Sequence, residues 1–110
     1  MANIDIGNIF KSVDDQSKAL AEKLFKQYTH QAVSDVRDFL EKSRENLKRW
    51  IEELFRGELD QDEFQSLVKG QADVAEMRAL KQAGLAVVQI DTFTNGVLDI
   101  VVSAAFAAIP

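Results

Sequence analysis

The sequence predicts an all-α protein in the form of a long antiparallel helical hairpin, and three observations support that prediction. Residues 11–56 contain neither Gly nor Pro. Apolar residues in this range recur at steps of three and four, which places them on one face of a helix. A glycine-containing turn at residues 57–60, near the midpoint of the 110 residues, separates this range from a second helical pattern. We therefore expect a single helical domain over residues 1–110.

The first arm is predicted as one helix over residues 13–56. Its apolar stripe comprises Leu20, Leu24, Tyr28, Ala32, Val36, Phe39, Leu47, Trp50 and Leu54. The opposite face carries acidic residues that precede a basic residue by four positions: Asp14–Lys18, Glu22–Lys26, Asp38–Lys42, Glu45–Arg49 and Glu52–Arg56. Pairs in this order stabilise a helix by about 0.2–0.5 kcal/mol each. A rod of this length cannot bury its own stripe, so the arm needs a partner helix.

The turn at residues 57–60 contains signals for the end of one helix and the start of the next. Gly57 suits the left-handed residue that closes a helix. Asp60 followed by Glu63 matches a capping box, in which each residue bonds the backbone of the other. The acidic residues also resemble the start of a calcium loop, but Phe64 occupies a position that would require a ligand. The cap is therefore the preferred interpretation.

The second arm covers residues 61–109, and breaks in its helix are expected at Gly70, Gly84 or Gly96. From residue 84 onwards the arm is strongly apolar and contains no Lys or Arg. Two structures compete over residues 87–102. Asn95-Gly96 is a hairpin-turn signal between two β-branched segments. A helix separates the polar from the apolar residues more cleanly, so we favour a helix and keep the β-hairpin as the alternative.

The apolar arc of this arm is too wide for one partner helix to cover. We therefore expect self-association, as a dimer or a higher oligomer, with hairpins from different copies completing a helical bundle. The predicted interface anchors on the second arm are Phe93, Val97, Ile100, Val101 and Phe106. Trp50 and Phe55, near the turn, form a second candidate contact, although packing of the hairpin end is the preferred interpretation.

Residues suited to catalysis or metal binding are sparse. The chain contains no Cys, His30 is its one histidine, and neither a metal-ligand motif nor a local nucleophile–base pair is present. We therefore expect a protein without metal or cofactor that is not an enzyme. Asp91 and Asp99 are expected at the wet edge of the helix; the alternative is a pH-sensitive contact between copies. The formal net charge of −5 argues against nucleic acid as a partner.

The leading functional hypothesis is a structural or interaction protein that assembles with itself or docks a partner protein through the second arm. The first alternative is a membrane- or lipid-surface protein whose C-terminal helix is released from a soluble form. Against it stand the absence of Lys and Arg after Lys81 and the acidic residues that interrupt the apolar run. Because no basic residue or apolar run marks the first ten positions, we expect a cytoplasmic protein, with leaderless export left open.

A second alternative is a small secreted helical-hairpin protein, or an inhibitor or chaperone that masks a larger protein. The length, the lack of Cys, the acidic charge and the mid-chain turn are similar to those of small secreted helical-hairpin proteins with a Trp-x-Gly turn. Here Ile51 and Glu52 follow Trp50, so the motif itself is absent. The outline alone implies no family.

Overall fold

The computed structural model describes residues 4–109, and all regular secondary structure in that range is helical. The α-helices are α1 (Ile6–Leu24), α2 (Thr29–Phe55), α3 (Gln61–Lys69), α4 (Arg78–Gln82) and α5 (Val87–Ala108). Short 3-10 turns cover Lys26–Tyr28 and Gly70–Asp73. The predicted all-α class is therefore confirmed.

Helices α1 and α2 form a tight antiparallel pair. The Nε of Arg37 on α2 donates to Oδ1 of Asp14 on α1 at 3.3 Å. Further along, the guanidinium of Arg44 lies over the ring of Phe10, 5.4 Å from its centroid. From the first contact to the second, the residue number rises on α2 (Arg37 to Arg44) and falls on α1 (Asp14 to Phe10). The two helices therefore run in opposite directions.

Helices α3 and α4 together run antiparallel to α2 and α5. The aromatic rings of Phe64 on α3 and Phe106 on α5 are 5.9 Å apart, and Lys69 lies 3.8 Å from Asp99. Helix α5 then returns along α1. The chain thus forms four antiparallel positions, the third of which is divided between α3 and α4. The resulting bundle measures 46 × 22 × 20 Å and encloses one hydrophobic core.

The predicted single helix over residues 13–56 is wrong, because the chain reverses at Phe25. This residue has φ −142° and ψ 65°, outside the helical region, and α1 begins earlier than expected, capped by Asp5. The core face of α1 includes the small residues Ser17 and Ala21, whereas Leu24 is exposed. Reversal lets α1 bury this face on α2 within the same chain. The apolar residues continue at steps of four across the break, from Leu20 and Leu24 to Tyr28 and Ala32. The sequence pattern therefore did not indicate that the helix ends here.

The predicted turn and capping box are confirmed. Gly57 has φ 77°, and the Glu63 N–H donates to Oδ1 of Asp60 at 2.8 Å while the Asp60 N–H donates to the Glu63 carboxylate. In the second arm, Gly70 starts a 3-10 turn and Gly84, with φ 90°, follows α4. Gly96 breaks nothing and lies inside α5.

The β-hairpin alternative over residues 87–102 is wrong, since these residues lie in the continuous helix α5. A helix buries Ile90, Phe93 and Val97 on one face and leaves Asp91 and Asp99 exposed on the other. A hairpin would mix the acidic and apolar side chains on both of its faces.

The bundle that was expected to require a second copy is completed within one chain. The apolar arc of α5 is covered by α1, α3 and α4. The rings of Phe93 and Phe25 meet edge to face with centroids 5.4 Å apart, which anchors the start of α5 beside the end of α1. The width of the α5 arc therefore no longer argues for oligomerisation.

Gly96 lies where α5 approaches α1 closely. A Cβ atom at this position would come within 2.6 Å of Cδ2 of Leu20. We expect Gly96→Val to lower the free energy of unfolding by about 1–3 kcal/mol, because the added side chain overpacks this contact. Urea denaturation followed by circular dichroism measures the change.

The matched variant is Gly96→Val combined with Leu20→Ala, which removes the atom in the way. The decrease in the free energy of unfolding should be smaller for the double variant than the sum of the decreases for the two single variants, by at least about 0.5 kcal/mol. Strict additivity would contradict the close approach.

Candidate functional site

The predicted interface anchors on α5 do not form a surface. Phe93, Val97 and Val101 are fully buried in the core of the chain itself. Ile100 and Phe106 are half-buried and pack against that core. These side chains hold the bundle together, so the idea that they face a partner has to be corrected.

The second candidate contact belongs to the packing of the hairpin end. Trp50 is buried, and the guanidinium of Arg49 lies 5.9 Å from the centre of its ring. Phe55 is half-buried at the end of α2. Structural packing therefore accounts for both aromatic residues.

The remaining titratable residues considered from sequence lie apart on the surface. His30 is exposed near the start of α2. Asp91 and Asp99 are both exposed, and Asp99 faces Lys69 across the α3–α5 contact. Within residues 4–109, no three His, Asp or Glu side chains come together in a way that could hold a metal ion.

The most specific polar contact is one that the sequence did not reveal. The side chain of Asp35, on α2, is buried and accepts hydrogen bonds from the backbone N–H groups of Ala79 and Leu80, each at 2.9 Å. These N–H groups start α4 and have no partner within their own helix. Met77, which precedes α4, is in the left-handed conformation with φ 51° and gives no side-chain cap. Asp35 therefore caps α4 from a neighbouring helix.

A polar cleft of about 470 Å³ lies between α5 and the segment that connects α3 with α4. Its charged lining is Asp73, Glu76, Lys81 and Asp91. The hydrogen bond from Arg78, together with the positive charges of Arg78 and Lys42, holds the pKa of Glu76 below its usual value. The only buried hydroxyl in this lining, that of Thr94, donates to the backbone carbonyl of Ile90. The cleft therefore presents solvated charges and no free buried polar group.

A different kind of surface lies at the end of the bundle where α1 turns into α2 and α5 begins. Among the described residues, large apolar side chains are exposed at Leu24 (39%), Val87 (72%) and Val88 (75%). We call these three residues the apolar tip. A shallow cleft of about 460 Å³ lies at the same end of the bundle, lined by Leu24, Phe25 and Tyr28 on one side and by Leu85 and Gln89 on the other; Val87 and Val88 lie outside this lining.

Sequence reasoning missed the apolar tip because it treated Leu24 and the start of α5 as parts of buried stripes. Val87 and Val88 continue the apolar composition of α5, but they lie in its first turn, where no neighbouring helix covers them. A signal was available in Gly84, since the chain emerging from a left-handed glycine begins a new element at the end of the bundle.

Helix α5 also has the length and composition of a membrane-spanning segment, which no other helix of residues 4–109 has. Half of its apolar window is buried inside the bundle. That burial is the property of a core helix, so its composition is explained by packing.

Comparison of the chain with protein-family models, with curated proteins and with solved structures finds no match.

The Asp35 cap leads to a stability prediction. We expect Asp35→Ala to lower the free energy of unfolding by about 2–4 kcal/mol, because two backbone N–H groups lose a charged acceptor. Urea denaturation monitored by the fluorescence of Trp50 provides the measurement.

Asp38→Ala is the matched control, one turn further along α2. Asp38 is exposed and pairs with Lys42 at 3.1 Å, so its loss should change stability by no more than about 0.5 kcal/mol. Equal effects of the two substitutions would contradict the capping role of Asp35.

Proposed function

We propose that this chain is a non-enzymatic interaction protein that docks a partner through the apolar tip. The observation that carries the proposal is the exposure of Val87 and Val88 at the start of α5, at the end of the bundle where Leu24 is also exposed. Val87 and Val88 are adjacent in the chain and about three-quarters exposed, and exposed apolar patches commonly mark interaction sites on soluble domains. The other large apolar side chains of α5, which first suggested such a site, are buried in or packed against the core of the bundle.

The position of the tip suits a docking role because the fold does not depend on it. The valine side chains project from the first turn of α5, while the core contacts of this helix begin at Ile90 and Phe93. A partner can therefore cover the tip without rearrangement of the bundle. This docking mode differs from the earlier hypothesis of a released C-terminal helix, which would require the core to open.

The proposal is tested by a photoreactive residue that reports any neighbour, protein or lipid. We expect p-benzoyl-phenylalanine in place of Val88 to give a discrete covalent adduct on irradiation of the cells that make the protein. Gel electrophoresis and mass spectrometry identify the adduct. An adduct is expected because a docked partner would lie within reach of the photoreactive group at position 88.

The matched control carries the same photoreactive residue in place of Ser103. Ser103 is exposed on α5 as well, but about four turns away from Val88. Absence of an adduct at position 88, or the same set of adducts at both positions, would contradict docking through the tip.

A further inference from the structure

We infer that residues 70–86 open as one unit while the rest of the bundle stays folded, and that the Asp35 carboxylate is the contact that keeps them closed. We call these residues the strap; they connect α3 to α5 and include α4. The strap ends directly before Val87, and its opening does not depend on the docking proposed for the apolar tip. The polar contacts, the buried side chains and the backbone of the strap each support this conformational device.

Asp35 provides the strongest polar contact between the strap and the rest of the bundle. Its buried carboxylate accepts hydrogen bonds from the backbone N–H groups of Ala79 and Leu80, each at 2.9 Å. Hydrogen bonds to a charged acceptor are about twice as strong as those between neutral groups. Both donors belong to the strap and the acceptor belongs to α2, so opening of the strap breaks both bonds together.

Two other side-chain contacts join the strap to α2, and both are weaker. The hydroxyl of Ser43 donates to Oε1 of Gln71 at 3.4 Å, longer than the roughly 3.0 Å of a good bond between oxygens. Nζ of Lys42 lies 3.7 Å from the carboxylate of Glu76, and both side chains are well exposed, so water and salt screen their attraction. Without the Asp35 contact, the strap therefore has no strong polar connection to α2.

The strap contributes few large side chains to the core. Met77 and Leu80 are its two large buried residues. Helix α5, in contrast, buries Ile90, Phe93, Val97, Leu98, Val101 and Val102. Because hydrophobic stabilisation is roughly proportional to the apolar area removed from water, opening of the strap costs much less free energy than unfolding of the bundle.

The backbone of the closed strap is strained at one residue and free to pivot near both ends. Met77 has φ 51°, a left-handed conformation that is unfavourable for a residue with a side chain, and opening releases it. Gly70 begins the 3-10 turn after α3, and Gly84 has φ 90° before α5. Glycine permits the widest change of backbone angles, so the chain can swing at these two positions.

Opening of the strap removes one wall of the polar cleft described above. Of the nine residues that line this cleft, five belong to the strap and four belong to α5. The two groups face each other only while the strap is closed. The contact between Asp35 and α4 therefore determines whether the cleft is present, and any ligand that touched both walls would hold the strap closed.

Native-state amide hydrogen exchange of the full chain, followed by NMR at low urea concentrations, tests the inference. Lys81, Ala83 and Leu85 report on the strap, because their amide N–H groups donate to carbonyls within the strap. We expect these three amides to share one free energy of opening and one urea dependence. Both values should be smaller than for the amides of Val97 and Val101, since urea dependence follows the surface that is exposed.

Val13→Ala tests whether the strap opens independently. Val13 is fully buried on α1, which packs against α2 and α5. The substitution destabilises the bundle, so exchange of the Val97 and Val101 amides should become at least about tenfold faster. Exchange of the strap amides should stay the same, because α1 remains packed when the strap opens.

Asp35→Asn tests the contact itself, since it keeps the size of the side chain and removes the charge. Exchange of all three strap amides should become at least about tenfold faster, by the same factor. Asp35→Glu keeps the charge on a longer side chain and should have a smaller effect. Asp14→Asn is the matched control, because Asp14 pairs with Arg37 between α1 and α2 at 3.3 Å. It should leave exchange of the strap amides unchanged.

Four results would each overturn the inference. Equal opening free energies and urea dependences for the strap and for α5, or equal acceleration of both by Val13→Ala, would mean that the strap opens only with the whole bundle. Different opening free energies for Lys81, Ala83 and Leu85 would mean that the strap is not one unit. Unchanged strap exchange in Asp35→Asn would remove Asp35 as the contact that keeps it closed. Circular dichroism verifies that each variant is folded.

Discussion

The carboxylate of Asp35 is the contact on which closure of the bundle depends. The third position of the bundle is divided, and its second part, α4, is a helix of five residues. A helix that short is not stable in isolation, because the conformational entropy lost in forming its first turn exceeds the free energy gained from the few hydrogen bonds of that turn. By accepting the first N–H groups of α4, Asp35 places Leu80 in the core and fixes the route by which the chain reaches α5.

Closure within one chain explains the distribution of apolar side chains. Each long helix has a neighbour on two sides, so the aromatic and aliphatic residues of α5 face α1, α3 and α4. The outer face of each helix is polar and solvated, as at Asp91, Asp99 and Ser103 on α5. Leu24, Val87 and Val88 are exposed at one of these ends. The exposed large apolar side chains of the described residues therefore lie at an end of the bundle and not along its sides.

Local signals were sufficient to predict part of this structure. Gly57, Asp60 and Glu63 act within one turn of backbone, and their prediction was confirmed. The helical form of α5 followed from the separation of polar and apolar residues along it. The reversal at Phe25 was not predictable in this way, because Gly and Pro are absent and the apolar period continues through it. Asp35 resembled any acidic residue on a helix, since its partners lie 44 and 45 positions away. Gly84 indicated that a new element begins before Val87, but the exposure of Val87 and Val88 depends on which helices lie beside the first turn of α5.

The even number of antiparallel positions has a consequence for the architecture of larger assemblies. Ile4 and Asp5 line the same groove as Ala107 and Ala108, so the two ends of the described chain lie side by side. They are at the end of the 46 Å bundle that is remote from Leu24 and Val88. Any segment or cargo joined to either end would start on the far side of the molecule and leave the tip unobstructed. The two ends of the described chain and the exposed valines of α5 therefore lie at opposite ends of the bundle.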